Sequence, residues 1–177
     1  LGLTGADVHA MVAARRPVGE IDFGWVGDPL PTGVNINGLK ALLKAEFCPV
    51  FAPLTYDGEG NLLNTNADTI ASVLALALSS VYRVTLLYCF EQQGVLDEKE
   101  KVVPFINEEV YQKLLKSGAL SGGILPKLEN ALAAIRGGVH HIWIGNGEAL
   151  GNFPHPSPPF SGTLISQKPV VHYTSAP

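Results

Sequence analysis

The chain has 177 residues, 46% of them hydrophobic, with 12 basic against 16 acidic residues and a formal net charge of −4. This is the composition of a folded, core-rich chain; it excludes intrinsic disorder, and without a basic excess it excludes an ordinary nucleic-acid binder. No apolar run is long enough to span a membrane and no signal peptide is visible, so a cytoplasmic protein with no membrane partner is expected.

Leu1-Gly2-Leu3-Thr4-Gly5 reads as the end of a strand and its turn, so the chain is expected to be a fragment that begins inside a folded unit. Residues 34–46 end in a short amphipathic helix. Phe47 to Pro53 is a short apolar run of strand type bounded by prolines, and Asp57-Gly58 marks a hairpin tip. Residues 66–80 give the clearest helix, and its run Ala71 to Leu78 is apolar nearly all round, which predicts burial. Tyr82 to Phe90 reads as a strand with apolar residues on both faces (Val84, Leu86, Leu87), as in a covered parallel sheet.

Asn107 to Ser117 is a second helix, with Asn107 as N-cap and Gly118 as the C-cap glycine. A third runs from Pro126 to Arg136, with Pro126 in its first turn and Gly137-Gly138 beyond its end. Val139 to Ile144 is the next strand, Gly151 to Pro159 is irregular and proline-rich, and Gly162 to Ile165 is a last short strand. Strands separated by helices predict an α/β fold, a three-layer α/β/α sandwich with a mainly parallel sheet. Residues 1–166 are expected to form one domain portion and 167–177 a loose tail. Cys48 and Cys89 lie in apolar runs and read as small buried hydrophobes in a reducing setting, not as a disulfide.

Two helix starts carry candidate chemistry. Asn64-Thr65-Asn66-Ala67-Asp68 sets two amides and a carboxylate at the mouth of a helix. Capping needs only one of the three, since Asn and Asp are preferred caps and an acid suits the positive helix end; capping alone and a bound ligand are the two readings of the stretch. Ser121-Gly122-Gly123-Ile124-Leu125-Pro126-Lys127 feeds a glycine-rich turn into a helix, which exposes backbone N–H groups to a phosphate. Lys127 opposes the helix dipole there, and a bound anion would offset that; the plain alternative is a solvated lysine beside an ordinary turn. Glu91-Gln92-Gln93-Gly94-Val95-Leu96 follows a strand at its carboxyl end, where ligands of parallel sheets bind, or is a simple connection. His140 and His141 are adjacent on a strand and so point to opposite faces, His9 stands alone, and His155 and His172 fall in the irregular end; metal ligation is not expected.

In order and spacing these motifs resemble the acetylglutamate kinases of the amino acid kinase family. The matching runs are Leu1 to Asp7, Asp22-Phe23-Gly24-Trp25-Val26-Gly27-Asp28, Pro49 to Leu54, Asn64 to Thr69, Gly94-Val95-Leu96, Ser121 to Glu129 and the closing Gly162-Thr163-Leu164-Ile165. The resemblance covers residues 1 to about 138 closely. It implies ATP-dependent phosphorylation of the side-chain carboxylate of an N-acylated glutamate in arginine synthesis, with Mg²⁺ accompanying the ATP. By that pattern Asn64, with Asn66, holds the substrate, Asp68 orients the catalytic lysines, and Lys127 stabilises charge on the transferring phosphoryl group. Residues Glu91, Gln92, Gln93, Gly94, Val95 and Leu96 line the ATP site with Ala119, Leu120, Ser121, Gly122 and Gly123. A homo-oligomer is implied at full length. Glu91 stands where the family carries an aspartate, after the unusual Tyr88-Cys89-Phe90, a variant that leaves open N-acetyl or N-succinyl as the acyl group. The family's front glycine-rich loops, a second lysine and a substrate-binding arginine are expected before Leu1. Two other readings stand beside this one: another member of the family, and a nucleotide-binding remnant without turnover.

Overall fold

Asp7 opens the fold by folding back on its own turn: its carboxylate accepts hydrogen bonds from the backbone N–H of Thr4 (2.6 Å) and from Thr4 Oγ1 (2.8 Å), which ends strand β1 (Gly2–Leu3). The computed structural model describes residues 1–120, 123–147 and 162–168. The chain divides into two units, Leu1–Tyr82 and Arg83–Pro177.

In the first unit β1 pairs in parallel with β4 (Val50–Phe51). A four-stranded sheet runs in the order β3 (Gly27–Val34), β2 (Met11–Arg15), β5 (Leu54–Tyr56), β6 (Leu62–Asn64). Neither β2 nor β3 is apparent in the sequence. Pro29 and Pro31 make β3 read as loop, yet β3 is an edge strand, where a missing ladder donor is tolerated. The hairpin at Asp57-Gly58 forms as expected between β5 and β6. The Asp57 carboxylate accepts from Glu59 N, Asn61 N and Asn61 Nδ2, contacts that hold it below the usual carboxylate range, the Asn61 side chain foremost. Helix α1 (Ile36–Lys44) is capped by Asn35 and buries Leu39; Met11, Ala13 and Leu63 are likewise enclosed in this unit. Helix α2 (Ala67–Leu78) is less buried than its composition predicts: Ile70 and Ala75 are enclosed, most of the other apolar residues are half-buried, and Leu76 is 40% exposed.

The second unit has the sheet order β7 (Thr85–Phe90), β9 (His141–Asn146), β10 (Thr163–Ile165), β8 (Phe105–Ile106). β7 lies parallel to β9 along its whole length, from Thr85 opposite His141 to Phe90 opposite Asn146. Ile142, Ile144, Ile165 and Ile106 are fully enclosed. Helix α3 (Glu108–Ser117) starts at the Asn107 cap and ends on Gly118 at φ 78°, a left-handed turn that favours glycine. Helix α4 (Ile124–Arg136) begins two residues before Pro126; the proline falls in the first turn, where its missing N–H costs nothing.

The α/β class holds. Four of the seven strand pairs among the described residues are parallel. Two details differ from expectation. β7 starts at Thr85 rather than Tyr82, and as an edge strand it has Thr85 and Cys89 exposed while Tyr88 is buried. Cys89 and Cys48 are therefore both exposed, not buried: Cys89 takes the outward alternation of β7, and Cys48 sits in the exposed connection after α1. The proline-rich segment 151–159 and most of the expected tail lie outside the described residues.

Candidate functional site

The mouth of α2 is built on a buried threonine. Thr65 Oγ1 donates to the carbonyl of Gly27 (3.1 Å) and pairs with Thr55 Oγ1 (2.8 Å), while its backbone N–H donates to Pro53 (3.0 Å). Asn64, the exposed last residue of β6, is tied by its N–H to the carbonyl of Trp25 (2.7 Å). These bonds fix the strand-to-helix junction before any side chain is asked to bind. Asn66 is the cap: its Oδ1 accepts from Thr69 N at 3.1 Å. Asn64 is exposed, and Asp68 sits half-buried in the first turn, where the helix dipole favours a carboxylate.

In the second unit the candidate residues 91–96 follow the carboxyl end of β7. The loop that follows is pinned by its backbone. Val95 N–H donates to Thr163 Oγ1 (2.8 Å), and Thr163 in turn donates to the carbonyl of Val103 (2.8 Å). Asn146 Nδ2 donates to the carbonyl of Glu91 (3.4 Å). Gly94 is needed for this clasp, because a Cβ there would come within 2.9 Å of Thr163 Oγ1. The side chains of Glu91, Gln92 and Gln93 face solvent, Val95 is enclosed, and Leu96 is half-buried. The loop thus offers a fixed backbone and three polar side chains to a ligand.

Ala119 is half-buried and Leu120 enclosed, Gly123 is the exposed N-cap of α4, and Ser121 and Gly122 lie outside the described residues. Asn35, Asn66 and Asn107 cap their helices, whereas no side chain among the described residues caps α4. A Cβ at Gly123 would meet open space. Lys127 is half-buried as the fourth residue of α4, and its Nζ lies 5.6 Å from the centroid of the Tyr88 ring. The structure therefore brings Lys127 to the strand that feeds loop 91–96, while Asn64, Asn66 and Asp68 belong to the first unit. Tyr88, Asn146 and Thr163 go unnoticed in the sequence as site residues; the only trace of the last is the run Gly162 to Ile165.

The histidines differ from expectation. His140 precedes β9, so strand alternation does not separate it from His141, and the two rings lie against each other, centroids 4.0 Å apart and planes tilted by 38°. Burial lowers the pKa of both, with Arg83 adding to the effect at each and His140 adding to it at His141. His9 is not alone: its Nδ1 is 2.7 Å from Tyr56 Oη. His155 and His172 lie outside the described residues, among which no cluster of His, Cys, Asp or Glu is able to hold a metal ion. No described helix is long and apolar enough to cross a membrane.

A model of the amino acid kinase family matches residues 2–146. An acetylglutamate kinase from Bacteroides fragilis is 47% identical over 153 residues, covering 85% of this chain and 58% of that protein. One from Phocaeicola vulgatus is 45% identical over 170 residues, covering 94% of this chain and 63% of that protein. The chain thus spans about three-fifths of the length of these curated relatives. The crystal structure of an N-acetylglutamate synthase from Neisseria gonorrhoeae, complexed with coenzyme A and L-arginine, covers 94% of this chain and 38% of that one, with a TM-score of 0.76 at 21% identity, a likeness of fold.

Proposed function

This chain belongs to the amino acid kinase family, and we propose that it carries the nucleotide side of an N-acylglutamate kinase, which moves the γ-phosphoryl group of ATP to the side-chain carboxylate of an N-acylated glutamate. The observation that carries the reading is the 45–47% identity to acetylglutamate kinases over 85–94% of the chain, a span that takes in both candidate regions.

The residues fit an anionic ligand. The first N–H groups of α4 lack a side-chain cap among the described residues, and Gly123 leaves room for close approach. Phosphoryl transfer needs positioning and charge neutralisation more than covalent chemistry. A carboxylate oxygen of the substrate forms the new bond to phosphorus, the bond to the bridging oxygen breaks, ADP leaves, and no proton has to move. Lys127 neutralises charge on the group in flight, and the helix N–H groups hold the phosphates in line. Loop 91–96, with its backbone fixed by Thr163 and Asn146, lines the nucleotide with residues 119–123. Mg²⁺ accompanying the nucleotide would screen the phosphate charges.

By the family pattern Asn64 holds the α-carboxylate side of the substrate and Asp68 serves as an orienting carboxylate. Asn66, its Oδ1 committed to the cap, has its Nδ2 donors to offer the substrate. The same reading puts the protein in the cytoplasm, as a homo-oligomer at full length. The test is a hydroxylamine trap: full-length protein with ATP and either N-acetylglutamate or N-succinylglutamate. An ATP-dependent hydroxamate from one of the two supports the reading and identifies the acyl group. ATP binding with no hydroxamate from either would replace it with a nucleotide-binding remnant.

A further inference from the structure

We infer that Thr65 is a positioning residue for substrate binding: its buried hydroxyl and N–H set the direction in which Asn64 and Asn66, on either side of it, present their amides to the acylglutamate. The inference rests on the functional reading above and deepens it. From Leu62 to Asn66 exposure alternates, with Leu63 and Thr65 enclosed and Leu62, Asn64 and Asn66 exposed. Neighbours along an extended chain point to opposite sides. Whatever holds Thr65 inward therefore turns both asparagines outward on one side.

An apolar side chain would supply the burial, as Leu63 does two positions earlier. The hydroxyl adds direction, because a buried polar group has to meet its partners. It has one proton to give. The nearer carbonyl acceptor is Gly27, at 3.1 Å against 3.5 Å for Leu63. Thr55 Oγ1, 2.8 Å away, is then the donor to Thr65. The result is a chain of hydroxyls from Thr55 through Thr65 to Gly27, which ties β5, the strand-to-helix junction and β3 together. Glycine at 27 leaves room for it, since a Cβ there would stand 3.0 Å from Thr65 Oγ1. The backbone adds two more ties, Thr65 N–H to the carbonyl of Pro53 and Asn64 N–H to the carbonyl of Trp25. Asn66 is held on its far side by its cap bond to Thr69 N. Without the Thr65 hydroxyl the Gly27 carbonyl loses this donor, residue 65 is free to shift, and the flanking amides shift with it. Hydrogen bonds to a ligand tolerate only about half an ångström of such movement.

The test uses the full-length protein, with hydroxamate kinetics, calorimetric binding of N-acetylglutamate and N-succinylglutamate, and a thermal melt of each variant. Thr65→Val keeps the shape and removes the hydroxyl. With it, KM and Kd for the acylglutamate rise roughly tenfold, while KM for ATP stays within about twofold and kcat within about threefold. Thr65→Ser keeps the hydroxyl and stays within about threefold of wild type throughout. Ile106→Val, which thins the enclosed core of the second unit, is the stability control: it lowers the melting temperature and leaves KM for the acylglutamate unchanged. If Thr65→Val does not fold, Thr55→Val decides, because it removes only the outer link of the chain; KM for the acylglutamate then rises about threefold. Wild-type KM for the acylglutamate in the deciding variant, a KM for ATP that rises equally, or a Thr65→Ser as impaired as Thr65→Val overturns the inference and leaves the functional reading in place. A wild type that neither binds nor phosphorylates either acylglutamate overturns that reading and this inference with it.

Discussion

At Gly27 the backbone does what a side chain would prevent. A Cβ there would stand 2.6 Å from Thr55 Oγ1 and 2.7 Å from Leu63 Cβ, both on enclosed residues, so Gly27→Ala forces apart the junction on which Asn64 and α2 are set. The expected cost is about 1–3 kcal/mol, read as a lower denaturant midpoint; an unmoved midpoint would show that the junction yields freely. Some of this scale is legible in the sequence. Lys127 stands out because a cation at a helix start works against the dipole, and Asn66 because it is a preferred cap. Which of Asn64, Asn66 and Asp68 caps the helix is settled only by the bond to Thr69 N. Tyr88 is illegible because its contact with Lys127 joins a strand to a helix far along the chain. Cys89 is misread because apolar neighbours do not reveal which side of an edge strand faces out.

Elements follow a similar division. Helices announced by asparagine caps and closing glycines are readable, as at Asn107 and Gly118, because those signals act within a few residues. β2, β3 and β8 are not, because a strand is made by its partner and not by its own sequence. The proline-bearing β3 becomes a strand by lying at an edge beside β2. Thr163 shows what a short strand is able to do for a distant loop, since its hydroxyl joins Val95 N and the carbonyl of Val103. Thr163→Val leaves both groups without their partner, at an expected cost of about 1–3 kcal/mol. Because the loop they anchor lines the proposed nucleotide site, KM for ATP should rise by a larger factor than kcat falls. A variant with lower stability but unchanged KM for ATP would separate the clasp from nucleotide binding.

At the scale of the whole molecule the α/β class and the family are legible from the order of motifs, while the division at Tyr82 and Arg83 is not, because no glycine- or proline-rich linker marks it. Global stability should also register the adjacent histidine rings. His140 and His141 sit below the ordinary value of 6.5, chiefly through burial. The unfolded chain therefore takes up their protons first, so their contribution is fully present above pH 6.5 and is lost as pH falls below it toward the lowered folded values. The melting temperature is expected to fall on acidification through this window, and a His140→Gln/His141→Gln double variant to flatten the slope; equal slopes would remove the pair from the account. The central claim is that Lys127 handles the phosphate in an ATP-dependent transfer to a carboxylate. Hydroxamate kinetics of Lys127→Ala beside wild type, with ATP binding measured on the same full-length samples, test it most directly. The account predicts a kcat lower by roughly a hundredfold or more with ATP still bound, and an unchanged turnover would contradict it.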